Sequence, residues 1–458
     1  MDLFWFSAAG GSGLGCCRRN TMQIRINGGR LVDPGHFDGI ADILIEDGKI
    51  VKIVELGSRS DSDPASNTQH PEDRIIDASG KIVTPGLIDM HVHLREPGHE
   101  YKETIESGCR SAAWGGFSAV CCMPNTSPVN DSRQVTEYIR TKAEQFNLVR
   151  VFPVAAVSKG IAGKVLCDYD ELKQAGAVAL SDDGHPVMSS QMMRTAMEAA
   201  RDLELKVISH CEDISLAADG AMHEGAVAKE LGYTGIPSAS ESIMVLRDIA
   251  LSELTHAPVH IAHVSAAESV RALRDAKARG INVTAETAPH YFTLTEEAVK
   301  DSGTHAKMNP PLRTEADREA IRAGLADGTI DAIATDHAPH SNKEKDIAFG
   351  SAANGIIGLE TAVSLSLKLV EDGLLSLTRL VEKMSTHPAR ILGLESGLRV
   401  GQTADVTIID PDLSYTVNSE KFQSLSRNMP FEGWQLKGRP VFTLVGGRIV
   451  YEYAPTGN

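Results

Sequence analysis

The sequence predicts an α/β fold: a (β/α)8 TIM-like barrel with a small accessory β-sandwich domain built from both chain ends. Three observations predict it. Eight short apolar runs alternate with helix-patterned segments between residues 82 and 391. Short strand-and-turn patterns occupy both ends of the 458-residue chain instead. Almost every middle run closes on His, Asp, Asn or Glu, as expected where strand C-terminal ends build one active-site mouth.

Residues 1–21 (MDLFWFSAAGGSGLGCCRRNT) carry an acid at position 2 and a late basic pair, the wrong order for a secretory signal. They read as an N-terminal extension outside the fold, with Met22 as a natural start; a lipid-attachment segment at Cys16 and Cys17 is the alternative. Residues 22–81 then alternate β-like runs with turns, and Glu46-Asp47-Gly48-Lys49 is an Asp-Gly hairpin pattern. Residues 57–73 are polar and predict a surface loop. Residues 392–458 return to short strands, so the two ends together predict one composite β-domain around a barrel of residues 82–391.

The barrel runs are IVTPGLIDMHVHL, FSAVCCMPN, RVFPVAAV, AVALSDD, KVISHCED, PVHIAHVS, NVTAETAPH and DAIATDHAPH. They are nearly continuous in apolar residues, as strands buried on both faces are. QVTEYIRTKAEQFN and SAAESVRALRDAKARG space their apolar residues three to four apart and predict connecting helices.

Composition narrows the function. Lys plus Arg is 45 and Asp plus Glu is 61, a net charge of −16 that disfavours a phosphate backbone as partner. No apolar run is long enough to span a bilayer. Seven cysteines, an odd number without CxxC spacing, predict reduced thiols and a cytoplasmic setting. Cys109 and Cys211 read as small buried hydrophobes.

His91 and His93 share one face of the first run, because strand residues two apart point the same way. His210 ends the fifth run, His263 the sixth and Asp336 the eighth. Four of only 16 histidines and an aspartate at strand ends predict a divalent-metal centre of zinc type. Asp182 and Asp183 end the fourth run and face opposite ways, so one enters the barrel; Asp183 is the candidate bridge and Asp182 a cap or turn residue. Asp336 and His340 share parity, which turns His337 away toward a structural role. Arg95 shares parity with His93 if the first strand continues, and a planar guanidinium suits a carboxylate. Residues 341–351, charged and next to the eighth run, predict a cover over the mouth.

The run Met90-His91-Val92-His93-Leu94-Arg95-Glu96-Pro97-Gly98 resembles a signature of the dihydroorotase branch of the amidohydrolase superfamily. Residues Ala332 to His340 are similar to its second signature. Met123-Pro124-Asn125-Thr126, Glu286-Thr287-Ala288-Pro289-His290 and Asn309-Pro310-Pro311-Leu312-Arg313 are similar to further family motifs, in the expected order across about residues 24–450. The resemblance implies reversible cyclisation of N-carbamoyl-L-aspartate to L-dihydroorotate in de novo pyrimidine (UMP) biosynthesis. It implies two Zn2+ per chain: one on His91, His93 and Asp336, the other on His210 and His263, bridged by Asp183 and a hydroxide. It makes Asp336 the catalytic acid and base. His93, Arg95, Asn125 and His340 become substrate contacts, the last three on the α-carboxylate; Asn309 and the backbone at Asn354 and Gly355 become ring contacts. Many relatives carry a lysine as bridge, but Lys164 and Lys173 lie away from the fourth strand end. A homodimer and association with aspartate transcarbamoylase are compatible partners. Two rival readings follow from the same resemblance: a hydantoinase- or allantoinase-type ureide hydrolase, and an inactive scaffold for the transcarbamoylase. The filled ligand positions argue against the scaffold.

Overall fold

The computed structural model describes residues 23–56 and 73–454. The expectations for residues 1–21 and for most of the 57–73 loop lie outside the described residues.

The terminal domain is one hydrogen-bonded path of strands wrapped on its own core. Its members are β1 (Gln23–Asp33), β2 (Phe37–Glu46), β3 (Lys49–Glu55), β4 (Arg74–Asp77), β5 (Ile82–Pro85), β16 (Val406–Thr416), β17 (Gln435–Val445) and β18 (Arg448–Glu452). Their order is β18-β17-β16-β5-β1-β2-β3, with β4 beside β1. Alternate residues of β1 and β2, among them Ile24, Ile26, Ile43 and Ile45, pack with Val406, Ile408 and Leu444. The Asp47-Gly48 hairpin between β2 and β3 has φ +49° and +76°, the paired left-handed conformation that matches strand twist.

The barrel strands are β6 (Leu87–Val92), β7 (Phe117–Cys122), β8 (Arg150–Ala155), β9 (Ala179–Leu180), β10 (Val207–Ser209), β13 (Val259–Ile261), β14 (Val283–Thr287) and β15 (Ala332–Ile333). Two short strands, β11 (Met222–His223) and β12 (Gly235–Ile236), pair with each other outside it. The barrel is all-parallel, in the order β15-β14-β13-β10-β9-β8-β7-β6. A parallel bridge from Val92 to His337 closes the ring. The two predicted helices form at Arg133–Phe146 and Ala267–Ala278. Among the described residues no helix is long and apolar enough to cross a membrane. Cys109, Cys121, Cys122, Cys167 and Cys211 are free and buried.

The domain boundaries shift in two places. Residues 82–85 form β5, which pairs with β1 and β16, so the first run splits and the barrel begins at Leu87. The split falls at Gly86, where a Cβ would come within 2.1 Å of Ser118 Oγ. At the other end, residues 419–434 leave the terminal sheet and run onto the barrel mouth. The buried Glu103 carboxylate draws them there: the Ser424 hydroxyl and the Leu425 N–H both donate to it. Residues 341–351 are not a free cover. The Lys345 ammonium is buried and donates to the carbonyls of Lys307, Ala353 and Gly355.

Candidate metal and carboxylate site

The mouth of the barrel gathers side chains from five strand ends. His91, on β6, is fully buried between two acids: its Nε2 lies 3.3 Å from Asp183 Oδ1 and 3.5 Å from Asp336 Oδ1. His93 Nε2 lies 3.1 Å from Asp336 Oδ1 and 3.4 Å from Asp183 Oδ2. His210 Nδ1 and His263 Nε2 are 2.7 Å apart, and each lies 3.7 Å from Asp183 Oδ1. Potential ligand atoms of His91, His93 and Asp183 lie within 4.8 Å of one another, as do those of Asp183, His210 and His263. Asp183 is common to both triads, and Asp336 borders the first.

The donor set fits divalent cations. His91 Nε2, which faces both acids, is buried with no hydrogen-bond partner among the described residues, a state that is costly unless something else is bound. His210 Nδ1 and His263 Nε2 are the atoms turned toward Asp183 on the other side. Burial opposes charge on Asp183, but His91, His263 and His93 outweigh it and hold its carboxyl well below the usual range. Burial likewise opposes charge on Asp336, and His91 and His93 outweigh it. Burial opposes charge on His91, but Asp183 and Asp336 outweigh it and hold the ring well above its ordinary range. The two buried carboxylates thus require a positive charge beside them, and a divalent cation would supply it in place of that proton.

Asp182 faces away. It accepts from the Ser158 N–H at 3.0 Å and from the Ser158 hydroxyl, tying the fourth strand end to the third. His337 also turns away, 3.4 Å from Glu103 and accepting from the Gly358 N–H at 3.1 Å.

Strand parity does not explain every placement. The first strand ends at Val92, and Arg95 reaches the site through a turn at φ +63°. Asp336 and His263 are also left-handed, at φ +49° and +34°. Three strained non-glycine residues at one mouth is the clustering expected of a functional site. Arg95 Nε donates to the Pro339 carbonyl at 3.1 Å, and its Nη2 lies 3.2 Å from His340 Nε2. Asn125 Oδ1 is 2.8 Å from His93 Nδ1, which orients that ring. Asn309 Nδ2 donates to Glu212 Oε2 at 3.2 Å. The Asn354 carbonyl accepts from His340 Nε2 at 2.8 Å. Gly355 differs from its expected role. Its N–H donates to the Lys307 carbonyl, and its own carbonyl accepts from Lys345 and Asn428. Both polar groups of Gly355 are therefore engaged within the protein.

Several residues at the site escaped the sequence reading. Glu286, at the end of β14, accepts from His91 Nδ1 at 2.7 Å and lies 3.3 Å from His260 Nε2. Asp89 accepts from the backbone N–H groups of His91 and Thr335 and so joins the first and eighth strand ends. Asn428 accepts from the His340 N–H at 3.0 Å and donates to the Ala338 carbonyl. Glu286 shared the strand-end regularity that exposed the histidines. Asn428 had no such signal, lying far along the chain in a segment that reads as accessory.

A model of the Dihydro-orotase-like family matches residues 80–269. A relative from Desulforapulum autotrophicum named dihydroorotase is 57% identical over 431 residues, covering 94% of this chain and 99% of its own. The chain belongs to the dihydroorotase family. A second relative of that name, from Syntrophus aciditrophicus, is 54% identical over 435 residues and covers 94% of this chain and 100% of its own. Among solved structures, the L-hydantoinase (dihydropyrimidinase) from Arthrobacter aurescens superposes with a TM-score of 0.82 at 27% identity, covering 94% of this chain and 96% of its own. A D-hydantoinase (dihydropyrimidinase) from Thermus sp. gives a TM-score of 0.78 at 26% identity, covering 94% and 95%. Dihydroorotase-family sequence thus sits on a barrel architecture shared with hydantoinases.

Proposed function

We propose that this chain is a zinc-dependent dihydroorotase that interconverts N-carbamoyl-L-aspartate and L-dihydroorotate. The observation that carries the reading is the pair of triads sharing Asp183, beside Arg95 and His340. In this reading His91, His93 and Asp336 hold one divalent ion, His210 and His263 hold the other, and Asp183 lies between them. Ions bound there supply Lewis acidity toward the ring carbonyl and make water acidic enough to attack near neutral pH.

The chain's own groups do the rest. Asp336 would be ionised at the start, because a carboxylate that holds a cation is in its charged form. It takes the proton of the attacking water on a carboxylate oxygen and passes it to the departing ring nitrogen, acting first as base and then as acid. Cyclisation runs the same transfers backwards. Glu286 and Asn125 fix the rings of His91 and His93 by bonding their Nδ1 atoms. Arg95 and His340 converge on one point and bind the substrate's α-carboxylate, with Asn125 at the same rim. Asn309 stands beside Glu212 where the ring would lie.

The hydantoinase reading shares the fold, so substrate choice must separate the two. Purified protein is offered L-dihydroorotate, hydantoin, dihydrouracil and allantoin in parallel. Preference for L-dihydroorotate that collapses in Arg95→Met supports the reading. Equal or better turnover of the rings without a carboxylate refutes it. The same reading places the enzyme in the cytoplasm. Native mass of the purified sample, alone and with aspartate transcarbamoylase, tests the dimer and the complex.

A further inference from the structure

The His340 ring is surrounded in a way that fixes its hydrogen. Its Nε2 is 2.8 Å from the Asn354 carbonyl oxygen. A carbonyl only accepts, so Nε2 carries the hydrogen. In a neutral ring Nδ1 is then a bare lone pair. Lys102 Nζ stands 3.5 Å from Nδ1, and an ammonium only donates. The other tautomer would let Nε2 accept from Arg95 Nη2 at 3.2 Å, but it sets that lone pair against the Asn354 carbonyl at 2.8 Å and an N–H against the ammonium. An imidazolium would add a third cation between Arg95 and Lys102, with Lys345 behind. Glu344 is the acid on this side, but its Oε2 is 3.9 Å from Nδ1 and its Oε1 pairs with Lys102 Nζ at 2.7 Å. Burial, Arg95 and Lys102 together push His340 down to about 2.

Lys102 is held in place from two sides of the mouth. Glu344, its partner, accepts from the Ser341 N–H at 3.0 Å and from the Tyr101 hydroxyl at 3.2 Å. The Lys102 carbonyl accepts from the Ser426 hydroxyl at 2.8 Å. Arg95 Nη2, 3.2 Å from a nitrogen that already carries hydrogen, has no acceptor there. Two donors therefore face one spot.

We propose that Lys102 is a positioning residue: by donating to His340 Nδ1 it keeps that ring neutral with its hydrogen on Nε2, so that His340 and Arg95 present two donors to one substrate carboxylate. The carboxylate oxygen displaces the Asn354 carbonyl from Nε2 and accepts from Arg95 Nη2 as well. This rests on the dihydroorotase reading for the identity of the carboxylate, but the ring's tautomer does not depend on it.

The test compares the metal-loaded parent with Lys102→Met, Lys102→Arg and Glu344→Gln. Nitrogen NMR of histidine-labelled protein reads the His340 tautomer, the signal being assigned by its loss in His340→Asn. The parent should show a neutral ring with hydrogen on Nε2 that does not titrate between about pH 5 and 8, where an ordinary histidine does. Lys102→Met should populate the other tautomer, in which Nε2 accepts from Arg95 Nη2 and Nδ1–H no longer meets an ammonium. It should also raise KM for L-dihydroorotate about tenfold or more with kcat changed far less, as lost ground-state binding does. Bound metal should be unchanged. Lys102→Arg should restore most of the parent behaviour, and Glu344→Gln should shift ring and KM in the same direction but less. An unchanged ring signal in Lys102→Met overturns the proposal, whether or not KM rises. If Lys102→Met does not fold, an unchanged ring in Glu344→Gln overturns it. A parent without dihydroorotate turnover would sink the functional reading and leave the ring signal to decide the role of Lys102.

Discussion

Glu286 offers a perturbation whose size can be worked from the geometry. It is buried, accepts from His91 Nδ1 at 2.7 Å and faces His260 Nε2 at 3.3 Å. That bond keeps the hydrogen of His91 on Nδ1 and leaves Nε2, which faces Asp183 and Asp336, as a bare ligand atom. Glu286→Gln preserves volume but puts an amide N–H2 at one of the two ends. If it meets His91, the ring must move its hydrogen to Nε2 and loses its lone pair there. A hydrogen bond to a charged group contributes about 1.5–3 kcal/mol. At about 1.4 kcal/mol per decade, that is roughly 10–150-fold in affinity. Loss of a contact that orients a ligating histidine typically weakens metal binding about 10–100-fold, so the two estimates agree. Competition against a chromogenic chelator measures it directly. Metal affinity within about twofold of the parent would refute the argument that Glu286 sets the His91 tautomer.

Three further outcomes are expected. Asp183→Asn should lower bound metal at both triads together, read by elemental analysis after dialysis; two retained ions would contradict the shared-ligand arrangement. Arg439 lies 4.1 Å from the Trp114 ring centre and 4.5 Å from that of Tyr453, and donates to the Tyr451 hydroxyl; Arg439→Met should cost about 2 kcal/mol or more in urea unfolding, the range for desolvated cation–π contacts. Burial pushes Glu360 up to about 8. An unfolded glutamate titrates near about 4.3. Between these values the folded chain holds a proton that the unfolded chain has released, so this group's contribution to stability falls as pH rises. Glu360→Gln should therefore be more stable than the parent at pH 8, with the gap closing toward pH 4; parallel stability curves would contradict the assignment.

The legible part of the site was the part that follows directly on the strand ends. His91 and His93 could be paired because β6 is extended through Val92, and the fourth strand end separated Asp183 from Asp182 by the same alternation. Arg95 and Asp336 reach the mouth through left-handed residues, which no alternation rule anticipates. The first run read as one strand, but Gly86 divides it, because the backbone there passes too close to Ser118 for any side chain. The contacts of Lys102 with Glu344 and of Asn428 with His340 join distant segments through loops, and neither has a periodic signal. The buried carboxylate Glu103 was also silent: the hydrogen bonds from Ser424 and Leu425 that make it tolerable inside the protein come from far away in sequence.

At the centre of the proposed function are two divalent ions at the shared triads, working on a carboxylate-bearing ring. Loss of L-dihydroorotate and bound metal should be measured on the same purified sample, before and after chelation. Turnover with about two divalent ions per chain is expected, lost on chelation and restored when zinc is returned. Turnover that survives complete metal removal, or two bound ions without turnover of L-dihydroorotate, would contradict it.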